Sequence, residues 1–104
     1  MQSLDQNTIE EIKKRLVKTY NPREIYLLDP SRENTIDIGI LIVVDGKDIE
    51  HYDLIKAGYK ALVSVKVAKS ILVYTQEEIE EYFQDPSTLS YSIKKYGKRI
   101  YART

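Results

Sequence analysis

Cysteine is absent from this chain of 104 residues, and histidine occurs once, as His51. A chain without cysteine forms no disulfide, no thiolate metal site and no cysteine nucleophile, and such chains are typical of the cytosol, where we expect this protein. A lone histidine has no second histidine with which to build a zinc site, and His51 lacks the context of a catalytic triad. We therefore expect His51 to be a surface residue at the start of a helix.

An excess of charge of one sign and long apolar runs are missing as well. The 16 Lys and Arg residues balance the 16 Asp and Glu residues, so composition gives no support to general nucleic-acid binding. No apolar run approaches the roughly 20 residues that cross a bilayer, and the first residues lack the basic-then-apolar pattern of a signal peptide. The length suits one domain, residues 1–104, with a single core.

The apolar periodicity predicts an α/β domain of the α+β kind, a mixed β-sheet flanked by helices. The predicted order is α-β-β-α-β-α-α, with a short C-terminal strand as an option. The elements are a helix that begins at Asn7 or Thr8 and ends at Asn21–Pro22, strands at 24–28 and 35–44, a helix at 49–63, a strand at 69–75, a short helix after Thr75, a helix from Ser87 or Thr88 to Tyr96, and the optional strand at 99–102.

Local signals predict how the helices begin, end and pack. The expected caps are Asn7 or Thr8 with Glu10 or Glu11, Asp48, Thr75 with Glu78, and a left-handed Gly97 at the end of the last helix. Gly58 is expected to allow close packing. Helical spacing assigns to buried faces the side chains of Ile9, Ile12, Leu16, Val17, Ile49, Tyr52, Ile55, Tyr59, Leu62, Val63, Ile79, Tyr82, Phe83, Leu89, Ile93 and Tyr96.

The stretch 24–45 organises the chain as strand, connection and strand. Its second strand alternates so that Ile38, Ile40 and their neighbours lie on one face, with Asp37 and Gly39 on the other. Both faces are mostly apolar, so this strand is predicted to be central and covered on both sides. Asp37 is a carboxylate near the start of this Ile/Val run, where charge is unusual.

These motifs resemble the minimal nucleotidyltransferases of the DNA polymerase β-like superfamily, small prokaryotic domains often encoded beside a helical HEPN-type partner. IYLLDPSR at 25–32 stands where that family has Gly-Ser and a loop arginine. IDIGILIVVD at 36–45 stands where it has Asp-x-Asp and aliphatic residues. SILVYTQEEIEEY at 70–82 corresponds to a third strand followed by T-x-E-E, and YGKRIYA at 96–102 to the closing tail.

The resemblance implies transfer of a nucleoside monophosphate from an NTP, with Mg²⁺ as cofactor. The departures from the family pattern weaken that expectation. Only the first Asp of Asp-x-Asp is retained, as Asp37; the second is Gly39, and the third carboxylate falls on Ser70. The Gly-Ser position reads Asp29-Pro30, or Ser31-Arg32 with a shifted gap. Since Pro lacks an N–H donor and Asp repels phosphate, this phosphate loop is altered.

Three functions remain open on the sequence. The first is a nucleotidyltransferase-like domain with weak or no activity, in which Asp37 is the one catalytic carboxylate and Ser31 and Arg32 contact nucleotide. The second is a pseudoenzyme scaffold, an antitoxin or regulator of a helical HEPN-type partner. The third is an active enzyme in which Asp29 and Asp37 bind one metal ion across an antiparallel hairpin. Against that metal site, Asp29 would simply start a turn and Asp37 would be held by a Ser, Thr or Arg of the loop. A homodimer through an exposed edge strand is a further expectation.

Overall fold

The computed structural model describes residues 5–29 and 37–103, which form four helices and one four-stranded mixed sheet. The elements are α1 (Gln6–Tyr20), β1 (Glu24–Leu28), β2 (Ile38–Val44), α2 (His51–Ala61), β3 (Lys69–Thr75), α3 (Gln76–Tyr82), α4 (Leu89–Tyr96) and β4 (Lys98–Ala102). The predicted α+β class and element order are confirmed, including the optional last strand. Over these residues, no helix has the length and apolar character needed to cross a membrane.

The sheet has the strand order β3-β2-β1-β4. Strand β1 is antiparallel to both β2 and β4, whereas β2 and β3 are parallel. Every residue of β2 is buried, so the prediction of a central, doubly covered strand is confirmed. The strand begins at Ile38, so Asp37 lies just before β2 and not inside it. The predicted first residues of this strand, Thr35 and Ile36, lie outside the described residues.

Helices cover both faces of the sheet, and strand alternation divides the core into two layers. On one face, Ile38, Ile40 and Ile42 pack with Ile12 and Leu16 of α1. Leu54 and Ile55 of α2 pack against the same cluster. The second layer consists of Tyr26, Leu28, Leu41, Val43, Ile79 and Ile93. Ile79 belongs to α3 and Ile93 to α4. These two short helices therefore cover the face of the sheet on which Gly39 lies.

Two of the predicted helix starts are wrong. Helix α1 is capped by Asp5, whose Oδ1 accepts a hydrogen bond of 2.7 Å from Thr8 N–H, so the predicted capping box one turn later does not form. Helix α2 begins after Glu50, and no side chain caps it. Asp48, the expected cap, has a φ of 51°, a left-handed conformation that Asp tolerates in turns. The predicted end of α1 at Asn21–Pro22 and the capping box between Thr75 and Glu78 are confirmed.

Gly97 follows α4 for a different reason from the predicted left-handed cap. Its φ is −82°, which any residue can adopt. A Cβ atom at this position would collide with the carbonyl oxygen of Ile93 and would lie 2.8 Å from that of Leu27. Glycine is therefore required because the end of α4 approaches the backbone of β1 closely.

Six side chains that helical spacing assigns to the core are exposed. They are Tyr52, Tyr59, Val63, Phe83, Leu89 and Tyr96. Helix α2 packs through a narrow strip around Gly58, with Leu54 and Ile55 beside it, so residues at the rim of its apolar stripe remain outside. Helices α3 and α4 are only 7 and 8 residues long, and each buries a single isoleucine, Ile79 or Ile93, in the sheet.

One exposed aromatic, Tyr59, has a defined role at the outer edge of β3. Because Ile38 N–H donates to the Ala68 carbonyl, the parallel register directs the backbone groups of Lys69 and Ile71 away from β2. The Tyr59 hydroxyl donates to the Lys69 carbonyl and accepts from Ile71 N–H, both at 3.3 Å. At the other end of this edge, Thr75 N–H donates to the Glu78 carboxylate at 2.9 Å. Both ends of the edge are thus hydrogen-bonded within the chain, which opposes strand addition there.

The prediction that Gly58 permits close packing is confirmed. A Cβ atom at Gly58 would lie 2.5 Å from the Tyr20 hydroxyl and 3.2 Å from Ile71 Cγ2. The Tyr20 hydroxyl donates to the Leu54 carbonyl, and its burial raises the pKa of Tyr20 to about 12, although a backbone hydrogen bond at Gly58 lowers it in part. This buried, hydrogen-bonded hydroxyl therefore fixes the distance between α1 and α2.

We predict that Gly58→Ala lowers the free energy of unfolding by about 1–3 kcal/mol, the usual cost of overpacking. Urea denaturation of Gly58→Ala, Tyr20→Phe and the double variant would measure it. Since Phe removes the oxygen that the new methyl group meets, the cost of Gly58→Ala should be smaller in the Tyr20→Phe background. Equal costs in both backgrounds would contradict this account of the packing.

Candidate functional site

Asp37 is half-buried at the start of the central strand and contacts the neighbouring strand. The Ser70 hydroxyl donates a hydrogen bond of 3.3 Å to Asp37 Oδ2. Ser70 pairs with Gly39 in the β2–β3 register and occupies the position where the resemblance expects the third carboxylate. The Ser70 hydroxyl donates a hydrogen bond to Asp37, whereas a second carboxylate at this position would repel Asp37 unless the two shared a cation. The donor, Ser70, belongs to β3, so this bond is not the predicted one from a loop Ser, Thr or Arg, which stays a prediction.

Gly39, where the resemblance expects the second carboxylate, is covered by α4. A Cβ atom at Gly39 would lie 2.9 Å from Cγ1 and 3.0 Å from Cδ1 of Ile93, and 3.6 Å from the Cβ of Leu28. Ile93 is completely buried, so a longer side chain at position 39 would have to displace it. An Asp at position 39 would therefore require Ile93 of α4 to move from its present place on β2.

The remaining predicted site residues lie in or beside the connection between β1 and β2. Asp29 follows Leu28, which pairs with Gly39 and lies in the layer under α3 and α4. If the alternation of β1 continued for one more residue, Asp29 would point to the opposite face from Asp37. The metal site formed by Asp29 and Asp37 stays a prediction. Ser31 and Arg32 lie outside the described residues, so their contact with nucleotide stays a prediction as well. In 5–29 and 37–103, no three His, Asp or Glu side chains are grouped so that they could hold a metal ion.

A second polar constellation, absent from the sequence expectations, joins His51 to Glu78. His51 Nε2 lies 3.0 Å and 2.9 Å from the two carboxylate oxygens of Glu78. The side chain of His51, the first residue of α2, is 39% exposed, and it contacts Glu78 of α3. The two residues are 27 positions apart. No local pattern pairs them, since Glu78 already has a role as the last residue of a capping box.

Glu78 connects three elements through one carboxylate. It accepts from Thr75 N–H at the end of β3, it contacts His51 at the start of α2, and its own N–H donates to Thr75 Oγ1 at 3.2 Å. Burial by itself would raise the pKa of Glu78, but the hydrogen bonds from Thr75 N–H and from His51 outweigh it, so the pKa lies below its ordinary value. The charged carboxylate is therefore the form that the fold stabilises.

Aromatic rings extend from this pair towards a small cavity. The ring of Tyr74 meets His51 edge-on at 5.7 Å and Tyr82 at 4.9 Å between centroids. Tyr74 and Tyr82 line a cavity of about 120 Å³ together with Leu72, Thr88, Leu89 and Ser90. The hydrogen bonds of His51 among the described residues go to Glu78 alone. This arrangement ties α2 to α3, and it contains no nucleophile hydrogen-bonded to His51.

A cavity of about 580 Å³ lies at the other end of the sheet, and three arginines are among its lining residues. Their guanidinium groups are already paired. Arg23 and Arg103 both contact Asp45, and Arg99 contacts Glu24 at 3.0 Å. The hydrogen bond from Arg103, followed by that from Arg23, holds the pKa of Asp45 below its ordinary value. These arginines join the ends of β1, β2 and β4.

We predict that Gly39→Asp destabilises the protein by at least about 2 kcal/mol, because it adds steric overlap with Ile93 and buries a carboxylate. Urea denaturation would measure the loss, with Gly39→Ala as the matched variant that tests the steric part alone. Gly39→Ala should be destabilising, but less so than Gly39→Asp. A Gly39→Asp protein as stable as the parent would show that α4 can leave this position freely.

We also predict that stability falls with acid in a way that depends on Glu78. Since its folded pKa is lowered, Glu78 contributes stability above the ordinary carboxyl pKa of 4.5, and this is lost as the pH falls through the folded pKa. Gln keeps the capping box but loses the charge. Glu78→Gln should therefore be less stable than the parent by about 0.2–1 kcal/mol at pH 7. The gap should shrink towards pH 3 in urea denaturation. Glu77→Gln, on the same helical turn but without these contacts, is the control and should show a smaller gap at pH 7.

The described polar groups thus fall into three sets. Asp37 with Ser70 lies under α4, His51 with Glu78 lies between α2 and α3, and the paired arginines lie at the far end of the sheet. What each set can do follows from its own side chains.

Comparisons of the chain with known protein families, with curated proteins and with solved structures find no match.

Proposed function

We propose that this chain is a nucleotidyltransferase-like domain that has lost nucleotide transfer at Asp37 and works as a protein-binding scaffold. The family resemblance supplies the first half of this proposal. The packing of Ile93 on Gly39 carries the second half, because it fills the space that the second catalytic carboxylate would need. The role that fits is an antitoxin or regulator in the cytosol, with a helical HEPN-type protein as the partner that the resemblance implies.

The chemistry of nucleotidyl transfer explains why position 39 matters. Two divalent ions usually bind the triphosphate and activate the attacking hydroxyl, and carboxylates must bridge them. With Asp37 accepting from Ser70 and no side chain at Gly39, the strands supply one carboxylate where the reaction needs two or three. A Ser hydroxyl at position 70 is also a poor substitute for the carboxylate that would serve the attacking hydroxyl.

The preserved parts of the domain support the scaffold half of the proposal. Strand β2, which follows Asp37, is buried throughout, and its flanking helices pack in both layers. At the same time, large apolar side chains remain exposed on several helices and just after them, including Tyr52 of α2, Val63 after α2 and Tyr96 of α4. A fold that keeps its core while its site is filled, and that exposes aromatic side chains, has the properties of a binding module.

We predict that isothermal titration with Mg²⁺–ATP gives no binding heat at millimolar nucleotide. Asp37→Ala should behave like the parent, because the proposed scaffold does not use Asp37, which accepts a hydrogen bond from Ser70, to bind nucleotide. Ser70→Asp, which restores the third carboxylate position without touching Gly39, is a useful second variant and is expected to remain without binding. Micromolar affinity in the parent that is lost in Asp37→Ala would overturn the scaffold proposal and favour an active site built on Asp37.

The partner half of the proposal needs a separate experiment. Where the adjacent gene encodes an all-helical protein, the two chains should co-purify as a stoichiometric complex after co-expression. The complex should survive Asp37→Ala, because the proposed scaffold does not use that carboxylate. Failure of such a pair to associate would contradict the HEPN-type partner while leaving the nucleotide result unchanged.

A further inference from the structure

We propose that two copies of this chain form a twofold-symmetric dimer through the outer surface of α3 and α4. This α3–α4 surface is formed by Glu77, Glu81, Phe83, Tyr91, Lys94 and Lys95. The inference goes beyond the proposed function and does not depend on it. It rests on the separation of charge across the surface and on the aromatic pair between the charges.

The aromatic pair consists of Phe83 and Tyr91. Their rings are stacked with centroids 4.7 Å apart and an interplanar angle of 25°. Phe83 is 36% exposed, although its spacing from Ile79 suits a buried residue. A stacked pair at the surface offers a flat, rigid apolar contact at low entropic cost, which is typical of the centre of an interface.

Lysines of α4 cover this aromatic pair on one side. Lys94 Nζ lies 5.0 Å from the ring centroid of Phe83, and Lys95 Nζ lies 5.4 Å from that of Tyr91. Cation–π contacts hold both ammonium groups close to the apolar patch. Neither lysine belongs to an ion pair formed within 5–29 and 37–103. Lys95 Nζ also donates a hydrogen bond of 3.1 Å to the Tyr91 hydroxyl. The α4 side of the surface is therefore positive, with no carboxylate of the described residues paired to either lysine.

Helix α3 presents the opposite charge. Because Ile79 points into the core, the residues two positions away on either side, Glu77 and Glu81, lie on the outer side of the helix, and both are exposed. They too are outside the ion pairs formed by the described residues. The surface is thus negative along α3 and positive along α4, with Phe83 and Tyr91 where the two helices meet.

A second copy of the chain is the occupant that this pattern favours. In a twofold arrangement, α3 of each copy lies on α4 of the other, so both charge contacts form twice and the aromatic pairs meet near the axis. An acidic partner would be repelled by Glu77 and Glu81, and a basic partner by Lys94 and Lys95. Dimerisation by strand pairing at the β3 edge is opposed by the bonds of Tyr59 and Glu78 to that edge.

Sedimentation equilibrium of the full chain, over concentrations up to hundreds of micromolar, would test the dimer with two charge-reversed variants. Variant A carries Lys94→Glu and Lys95→Glu, and variant B carries Glu77→Lys and Glu81→Lys. Each should be monomeric alone, with a dimer dissociation constant raised at least about a hundredfold, because like charges then face each other. An equimolar mixture of A and B should dimerise, since an all-acidic surface then meets an all-basic one.

The control variant carries Lys56→Glu and Lys60→Glu on α2, which packs on the opposite face of the sheet; it makes the same charge change as variant A and should still dimerise. Circular dichroism of each variant confirms folding, and the mixture of A and B adds a functional check on both. A parent chain that is monomeric throughout, variants that dimerise like the parent, or a mixture that stays monomeric would each overturn the proposal. The Mg²⁺–ATP titration is read separately, so either proposal can fail alone.

Discussion

The direct contact between Ile93 and the backbone of Gly39 determines how one side of the sheet is built. Without a side chain at position 39, α4 can lie against the start of the central strand, and Gly97 lets the end of the helix approach β1 equally closely. The chain can then turn straight into β4, the edge strand beside β1. Close packing of this kind transmits any change of volume to its neighbours. A larger side chain at Gly39 is therefore expected to displace α4 and, with it, β4.

The contact of Ile93 with Gly39 also bears on the paired carboxylates that the resemblance implies for positions 37 and 39. The strand that bears Asp37 is a good scaffold for paired carboxylates, because its alternate residues share one face. Yet that face is covered by an isoleucine at the second position and supplied with a hydroxyl at the third. The space beside Gly39 is thus filled by Ile93 and belongs to the core of the domain.

Elements defined by local patterns were predictable from the sequence, and contacts between distant residues were not. The run of β-branched residues in β2 and the Thr75–Glu78 box are encoded within a few positions, and both were predicted correctly. The pairing of His51 with Glu78 and the seating of Ile93 on Gly39 depend on how helices are placed over the sheet. Gly97 is the clearest example. A glycine after a helix fits both a left-handed cap and a close backbone approach, so the sequence could not distinguish the two.

The edge of β3 is closed by a side chain and not by another strand, and this has a consequence for the solubility of the chain over time. The Tyr59 hydroxyl reaches Lys69 and Ile71 only while α2 is docked, and α2 has no side-chain cap at its first turn beyond the contact of His51 with Glu78. Local unfolding of α2 would expose the SILVYT segment with its edge unpaired, which is a template for aggregation. The opening free energy of α2 therefore contributes to resistance to aggregation in addition to the global stability of the domain.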